Sequence, residues 1–147
     1  MSELKNKHLL QLFYRESDRV RLLELDTLPE PTGEERKVMQ DWLATKRSFT
    51  VDEIATQAWV KTCCAGNTTE IYLHPDGSLE EYALFKRTRA TGEWQLKDGL
   101  LTLAVQKDGD RYVSTVVANK LSSIHSAIEA KNGQVYSYLK VAQTRQL

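Results

Sequence analysis

Gly92-Glu93-Trp94-Gln95-Leu96-Lys97-Asp98-Gly99-Leu100-Leu101-Thr102-Leu103 is the stretch that decides the fold. Trp94 and Leu96 alternate with Glu93, Gln95 and Lys97, the pattern of a strand with one buried face. Asp98-Gly99 supplies two residues that tolerate positive φ, so the chain reverses there in a tight hairpin. Leu101, Leu103 and Val105 resume the alternation on a second strand. A lone hairpin cannot bury its apolar face, so further strands are expected on both sides.

The same turn signals recur outward from this hairpin, at His74-Pro75-Asp76-Gly77, Asp108-Gly109 and Asn132-Gly133. Before it, Thr69, Ile71 and Leu73 oppose Glu70, Tyr72 and His74. Leu79, Glu81, Ala83 and Phe85 then oppose Glu80, Tyr82, Leu84 and Lys86. After it, strands are predicted over 113–118, 121–130 and 135–141, with 59–64 as the entry strand. The count is about 7–8 strands, and the short connections predict an up-and-down meander.

Residues 1–56 lack these turn pairs and are rich in Leu, Glu and Arg, which favour helix. Leu9, Leu12 and Phe13 share one face of a helix predicted over 2–14. Segment 19–25 reads either as its extension or as a strand, and Pro29 and Pro31 break the chain after it. Thr32-Gly33-Glu34-Glu35 has the form of a capping box. It opens a helix expected to bury Val38, Met39, Trp42 and Leu43 and to end near Arg47. Thr50-Val51-Asp52-Glu53 is a second such box, opening a short helix with Ile54 and Ala55. The predicted class is α+β: one domain over 1–147, whose N-terminal helices pack on an antiparallel curved sheet or barrel formed by 57–147.

The 147 residues carry 20 Lys+Arg and 20 Asp+Glu, so the formal net charge is zero. That balance argues against nucleic-acid binding, which draws on a basic excess. The first 56 residues carry a slight acidic surplus and the rest an equal basic one, which suits helices docked on their own sheet. No apolar run approaches the roughly 20 residues of a membrane span. No signal-peptide pattern opens the chain, so the expected location is the cytoplasm. Cys63 and Cys64 are neighbours, too close for an ordinary bridge, and are read as reduced thiols. On a strand they face opposite ways and cannot chelate one ion together.

The 92–103 hairpin resembles the G-x-W-x-L-x-D-G-x-L-x-L hairpin of lipocalin-like small β-barrel proteins of bacteria. Ile71-Tyr72-Leu73-His74-Pro75-Asp76-Gly77-Ser78-Leu79 resembles the hairpin that often precedes it. The resemblance covers about 71–105. It implies an antiparallel barrel or strongly curved sheet that holds a small ligand.

The stretch 112–128 carries one charged residue, Lys120, among many small side chains. Lining a barrel, these residues leave room for a ligand, and Ser114, Ser122 and Ser126 could orient it. Packed against a bulky helix such as that of Met39 and Trp42, they leave none. His125 lies among them, as a ligand-facing group or a hydrogen-bonded structural one. Tyr82, Trp94 and Tyr112 complete the candidate ligand-binding set. Tyr136 and Tyr138 are expected on one strand face. His74 is expected in an exposed turn and His8 near the apolar face of the first helix. Lys86, Arg87 and Arg89 form a short basic cluster. The Glu80–Glu81 pair splits across two strand faces and makes a weak acid/base dyad.

The sequence points away from an enzyme: nucleophile-elbow, phosphate-loop and zinc-protease patterns are missing. No metal or other cofactor is predicted. The first functional expectation is a binder of a small, partly apolar ligand. The second is a protein-interaction module that forms homodimers through its helices or a sheet edge. Phe49-Thr50-Val51-Asp52-Glu53-Ile54-Ala55-Thr56-Gln57-Ala58 resembles the first half of a bacterial helix-turn-helix, with Trp59 where the turn Gly belongs. Cys63-Cys64-Ala65-Gly66-Asn67, further along, would make a poor recognition helix, and DNA binding ranks third.

Overall fold

The computed structural model describes residues 3–18, 22–63, 66–84 and 88–144. Helix α1 spans Glu3–Asp18, a 3-10 turn Leu25–Thr27, α2 Gly33–Leu43, β1 Lys46–Arg47 and α3 Val51–Ile54. Eight longer strands come after them: β2 Ala58–Cys63, β3 Thr68–Leu73, β4 Ser78–Ala83, β5 Arg89–Lys97, β6 Leu100–Lys107, β7 Asp110–Asn119, β8 Ile124–Lys131 and β9 Gln134–Gln143. Each pairs antiparallel with the next, and β9 returns to β2 through Trp59↔Gln143 to Cys63↔Leu139. The meander therefore closes into an eight-stranded barrel. The short β1 extends the end of β7 through Lys46↔Asn119 and Arg47↔Ala118.

The hairpin of β5 and β6 pairs from Thr91↔Gln106 to Lys97↔Leu100. Its turn holds Asp98 at φ 55° and Gly99 at φ 80°, and the Asp108-Gly109 and Asn132-Gly133 turns repeat this. Two successive positive-φ residues match the right-handed twist of the flanking strands, which is why these dipeptides fix the hairpins.

Alternation sorts the strand residues between two faces. Trp59, Ile71, Leu79, Leu103, Val116, Ala127 and Val141 fill the interior. Their out-of-phase neighbours Leu100, Val117 and Ile128 form a second cluster on the outer wall, under Leu9 and Leu12 of α1. The first helix thus docks outside the barrel. Glu16 fixes it there. Its carboxylate accepts from Trp42 Nε1 at 2.8 Å and from the Tyr138 hydroxyl at 2.6 Å, and Lys46 Nζ lies 3.4 Å away. Tyr14 and Gln11 hold the returning chain, donating to the Pro29 carbonyl at 2.8 Å and the Leu23 carbonyl at 2.6 Å.

Both expected capping boxes form, at Thr32/Glu35 and Thr50/Glu53. Four local expectations change, the first being that α2 ends at Leu43, so Arg47, expected at its end, lies in β1. α1 runs to Asp18, four residues beyond the expected end. α2 buries none of its residues; Val38 is 55% and Leu43 38% exposed, and Trp42 alone packs at the rim of the outer cluster. The Glu16 bond to the Trp42 indole holds α2 by its edge, so its apolar stripe faces solvent. Of segment 19–25, residues 19–21 lie outside the described residues, 22–24 form neither helix nor strand, and Leu25 opens the 3₁₀ turn. The expectations at Ser2, Arg19, Cys64, Phe85, Lys86 and Arg87 lie outside the described residues. Among the described residues no helix is long and apolar enough to cross a membrane.

Candidate functional site

Three polar arrangements sit around this scaffold. The first plugs one barrel end. α3 lies across it, with Phe49, Ile54 and Trp59 in the core and the Trp59 indole donating to the Ile54 carbonyl at 3.0 Å. The chain then enters β2, so the second helix of a helix-turn-helix does not form. His125 is fully buried here, edge-on to Phe49 with ring centroids 4.9 Å apart. Its Nδ1 accepts from the Asn119 amide at 2.9 Å, and its Nε2 lies 2.6 Å from Gln143 Oε1. The ring is therefore neutral, with its proton on Nε2. Gln143 donates in turn to Glu53 at 3.0 Å, and Arg47 grips both Glu53 oxygens at 2.8 Å.

These bonds set the acid response of the plug. Burial lowers the His125 pKa from its ordinary 6.5, against a smaller opposing pull from its bond to Gln143. Burial would raise the Glu53 pKa, but the Arg47, Thr50 and Gln143 hydrogen bonds overcome it and hold the carboxyl at about 2. Both folded-state values lie below the unfolded ones, so stability is full at neutral pH and is lost on acidification. The loss should begin below pH 6.5 as His125 is forced to charge. It should steepen below 4.5 as Glu53 is protonated, reaching on the order of 3 kcal/mol for that carboxyl near pH 2. Urea midpoints measured across this range should fall in two stages, and His125→Gln should remove the upper one.

The second arrangement is an ion cluster inside the other half of the barrel. Lys61 Nζ lies 2.7 Å from Glu81 Oε2 and 3.4 Å from Glu129 Oε2. Lys107 approaches the other Glu81 oxygen at 3.0 Å, the Thr69 hydroxyl donates to Glu81, and Ser114 donates to Glu129 at 3.2 Å. Burial lowers the Lys61 pKa, but the two carboxylates outweigh it and raise it above the usual amine range. The amine therefore keeps its proton and offers no lone pair for nucleophilic chemistry. At the nearby β6–β7 and β8–β9 turns, Tyr112 and Tyr136 meet edge to face at 5.8 Å, with Lys131 over both rings.

The third is a cleft of about 530 Å³ on the outer wall. Val113 of β7, Ile128 and Ala130 of β8, and Val135 of β9 make its apolar floor. Helix α1 contributes His8 and Gln11, and the returning chain contributes Glu24 and Leu25. Arg111 and Thr115 mark its two ends along β7. Glu24 accepts from the Val135 amide at 3.0 Å, which anchors that edge. His8 is half-buried, and burial lowers its pKa, so its ring is neutral at pH 7. Neither the His8 nitrogens nor the Thr115 hydroxyl has a hydrogen-bond partner among the described residues.

The residues singled out from sequence disperse among these places. Ser114 joins the interior ion cluster and Tyr112 the aromatic pair beside it. His125 belongs to the plug. Trp94 faces inward and donates to the His74 carbonyl at 2.7 Å. Ser126 is buried on the outer wall and accepts from Lys140 at 3.1 Å. Ser122 is exposed and accepts from the Ile124 amide at 3.0 Å. Tyr82 also points outward, bonded to Glu80 at 2.7 Å and edge-on to Tyr72. Tyr136 and Tyr138 do not share a face. An irregularity in the β8–β9 register, between Glu129 and Ala130, shifts their phase, and Tyr138 turns out toward Glu16. Glu80 and Glu81 do split across the wall: Glu80 meets His74 at 2.7 Å outside, and Glu81 meets Lys61 inside.

Reading by residue type missed Lys61, Glu129 and the outer cleft. The signal for Lys61 was its phase, since Trp59, Lys61 and Cys63 alternate onto one face. Among the described residues no group of three or more His, Cys, Asp or Glu side chains is placed to hold a metal ion. No protein family model matches the chain, and no curated protein or solved structure gives a significant match.

Proposed function

We propose that this protein binds a small, partly apolar molecule, and that the site is the cleft between α1 and the outer wall of β7 and β8. The observation that carries this reading is the cleft itself: about 530 Å³, apolar in its floor and polar at its edges. That volume lies within the range of small-molecule sites, which combine apolar walls with a few orienting polar groups. The interior serves the reading less well. Its one half is packed with apolar side chains and its other half crossed by ion pairs.

The neutral fluorophore N-phenylnaphthylamine tests the proposal. It should bind saturably, one molecule per chain, with a blue-shifted emission. Ala130→Trp places an indole on the cleft floor while leaving the interior face of β8 untouched. It should weaken binding by at least about tenfold, because the apolar area offered to the probe is filled. Unchanged affinity in a variant with wild-type circular dichroism would move the site elsewhere.

A further inference from the structure

We infer that the cleft takes an elongated monocarboxylate with a polar group at its far end, its acid at Arg111 and its body along β7. This rests on the cleft-binding reading and adds the chemical class of the ligand. Arg111, Val113 and Thr115 all line the cleft and alternate along one strand. Four residues of β-strand at ~3.4 Å each set the length of that row at about 14 Å. The site is therefore a trough running along a strand on the outside of the barrel, and a compact ligand would leave one end of it bare.

The ends differ in chemistry. Arg111 is the cation among the lining residues, and its only ion pair among the described residues is a 4.0 Å approach to the exposed Glu93. Its guanidinium thus retains donors for an incoming carboxylate, which it can grip with two parallel bonds. Glu24, the acid in the same lining, is held on the Val135 amide. At the other end stand the His8 ring and the Thr115 hydroxyl, both without partners among the described residues. An all-apolar tail would strip water from these groups and return nothing, which costs affinity. A hydroxyl or carbonyl there satisfies them. Between the ends, Val113, Ile128, Ala130 and Val135 offer only apolar surface.

Calorimetric titration with ω-hydroxydecanoate and with decanediol separates the parts, since both carry the far hydroxyl and only the first carries the acid. The wild-type protein should bind the acid roughly tenfold or more tightly than the diol, the margin of a charge-assisted bond. Arg111→Gln should erase that margin while leaving the diol affinity as it was. Equal affinities in the wild type, a margin that survives Arg111→Gln, or no binding of either probe would each overturn the assignment. None of these would touch the cleft reading, which stands or falls with N-phenylnaphthylamine and Ala130→Trp.

Discussion

Lys61→Met should destabilise the barrel at neutral pH by about 3–5 kcal/mol, the cost of leaving a buried charge without its partner. Methionine keeps the unbranched stem of lysine, so little packing is lost and the effect reports the missing charge. Glu81 is 1% exposed, and burial alone would raise its pKa. Its low value rests first on the Lys61 charge, with the Thr69 bond and Lys107 behind it. Without Lys61, Glu81 keeps only those two and Glu129 only Ser114 among the described residues. Two consequences separate this account from a packing defect. The deficit should shrink in mild acid, because the stranded carboxyls can then be protonated. Adding Glu81→Gln should recover part of the loss, since neighbours in one network do not add. A urea midpoint equivalent to within about 1 kcal/mol of wild type, by the usual linear extrapolation, would mean that the ions contribute little.

The cluster also shows what the sequence discloses and what it does not. Hairpins are local: Asp98-Gly99 and the alternation of Trp94 and Leu96 determine β5 and β6 within a dozen residues. Capping boxes are local for the same reason, and both form. Closure is not. It depends on Lys61 lying beside Val141, far along the chain, and no short-range pattern encodes that pairing. Nor does the apolar stripe of α2 state whether anything covers it; Val38 is exposed, while α1 covers the outer wall with Leu9 and Leu12. The phase shift between Glu129 and Ala130 reassigns Tyr136 and Tyr138, and a bulge carries no residue signature here. The cleft is least legible of all. It exists only because α1 docks outside the barrel, so its floor consists of the strand residues that alternation alone would assign to solvent.

Gly92→Ala should cost more than about 3 kcal/mol, a large share of the roughly 5–15 kcal/mol that holds a domain folded. A Cβ at Gly92 would stand 1.8 Å from the Ala104 carbonyl oxygen, 2.9 Å from its carbon and 3.0 Å from Val105 Cα. All three are backbone atoms of the neighbouring strand, so no side-chain rotation relieves the clash. Gly92 pairs with Leu79 on one side and Val105 on the other, in the interior of the wall. To admit a methyl group, β5 and β6 must part at Gly92, where the two backbones approach too closely for any Cβ. Moving β5 should disturb the bond from Trp94 to the His74 carbonyl, so the summed emission of the three tryptophans should shift along with the midpoint. Gly33→Ala is the control: nothing lies within 4 Å of its Cβ, and it opens α2, so it should leave stability nearly unchanged. Gly109→Ala isolates backbone strain, since its surroundings are equally open but its φ is +85°; a loss of about 1 kcal/mol is expected. The order Gly33, Gly109, Gly92 follows from geometry alone. Equal effects at all three positions would show that the barrel wall can open at Gly92 without cost.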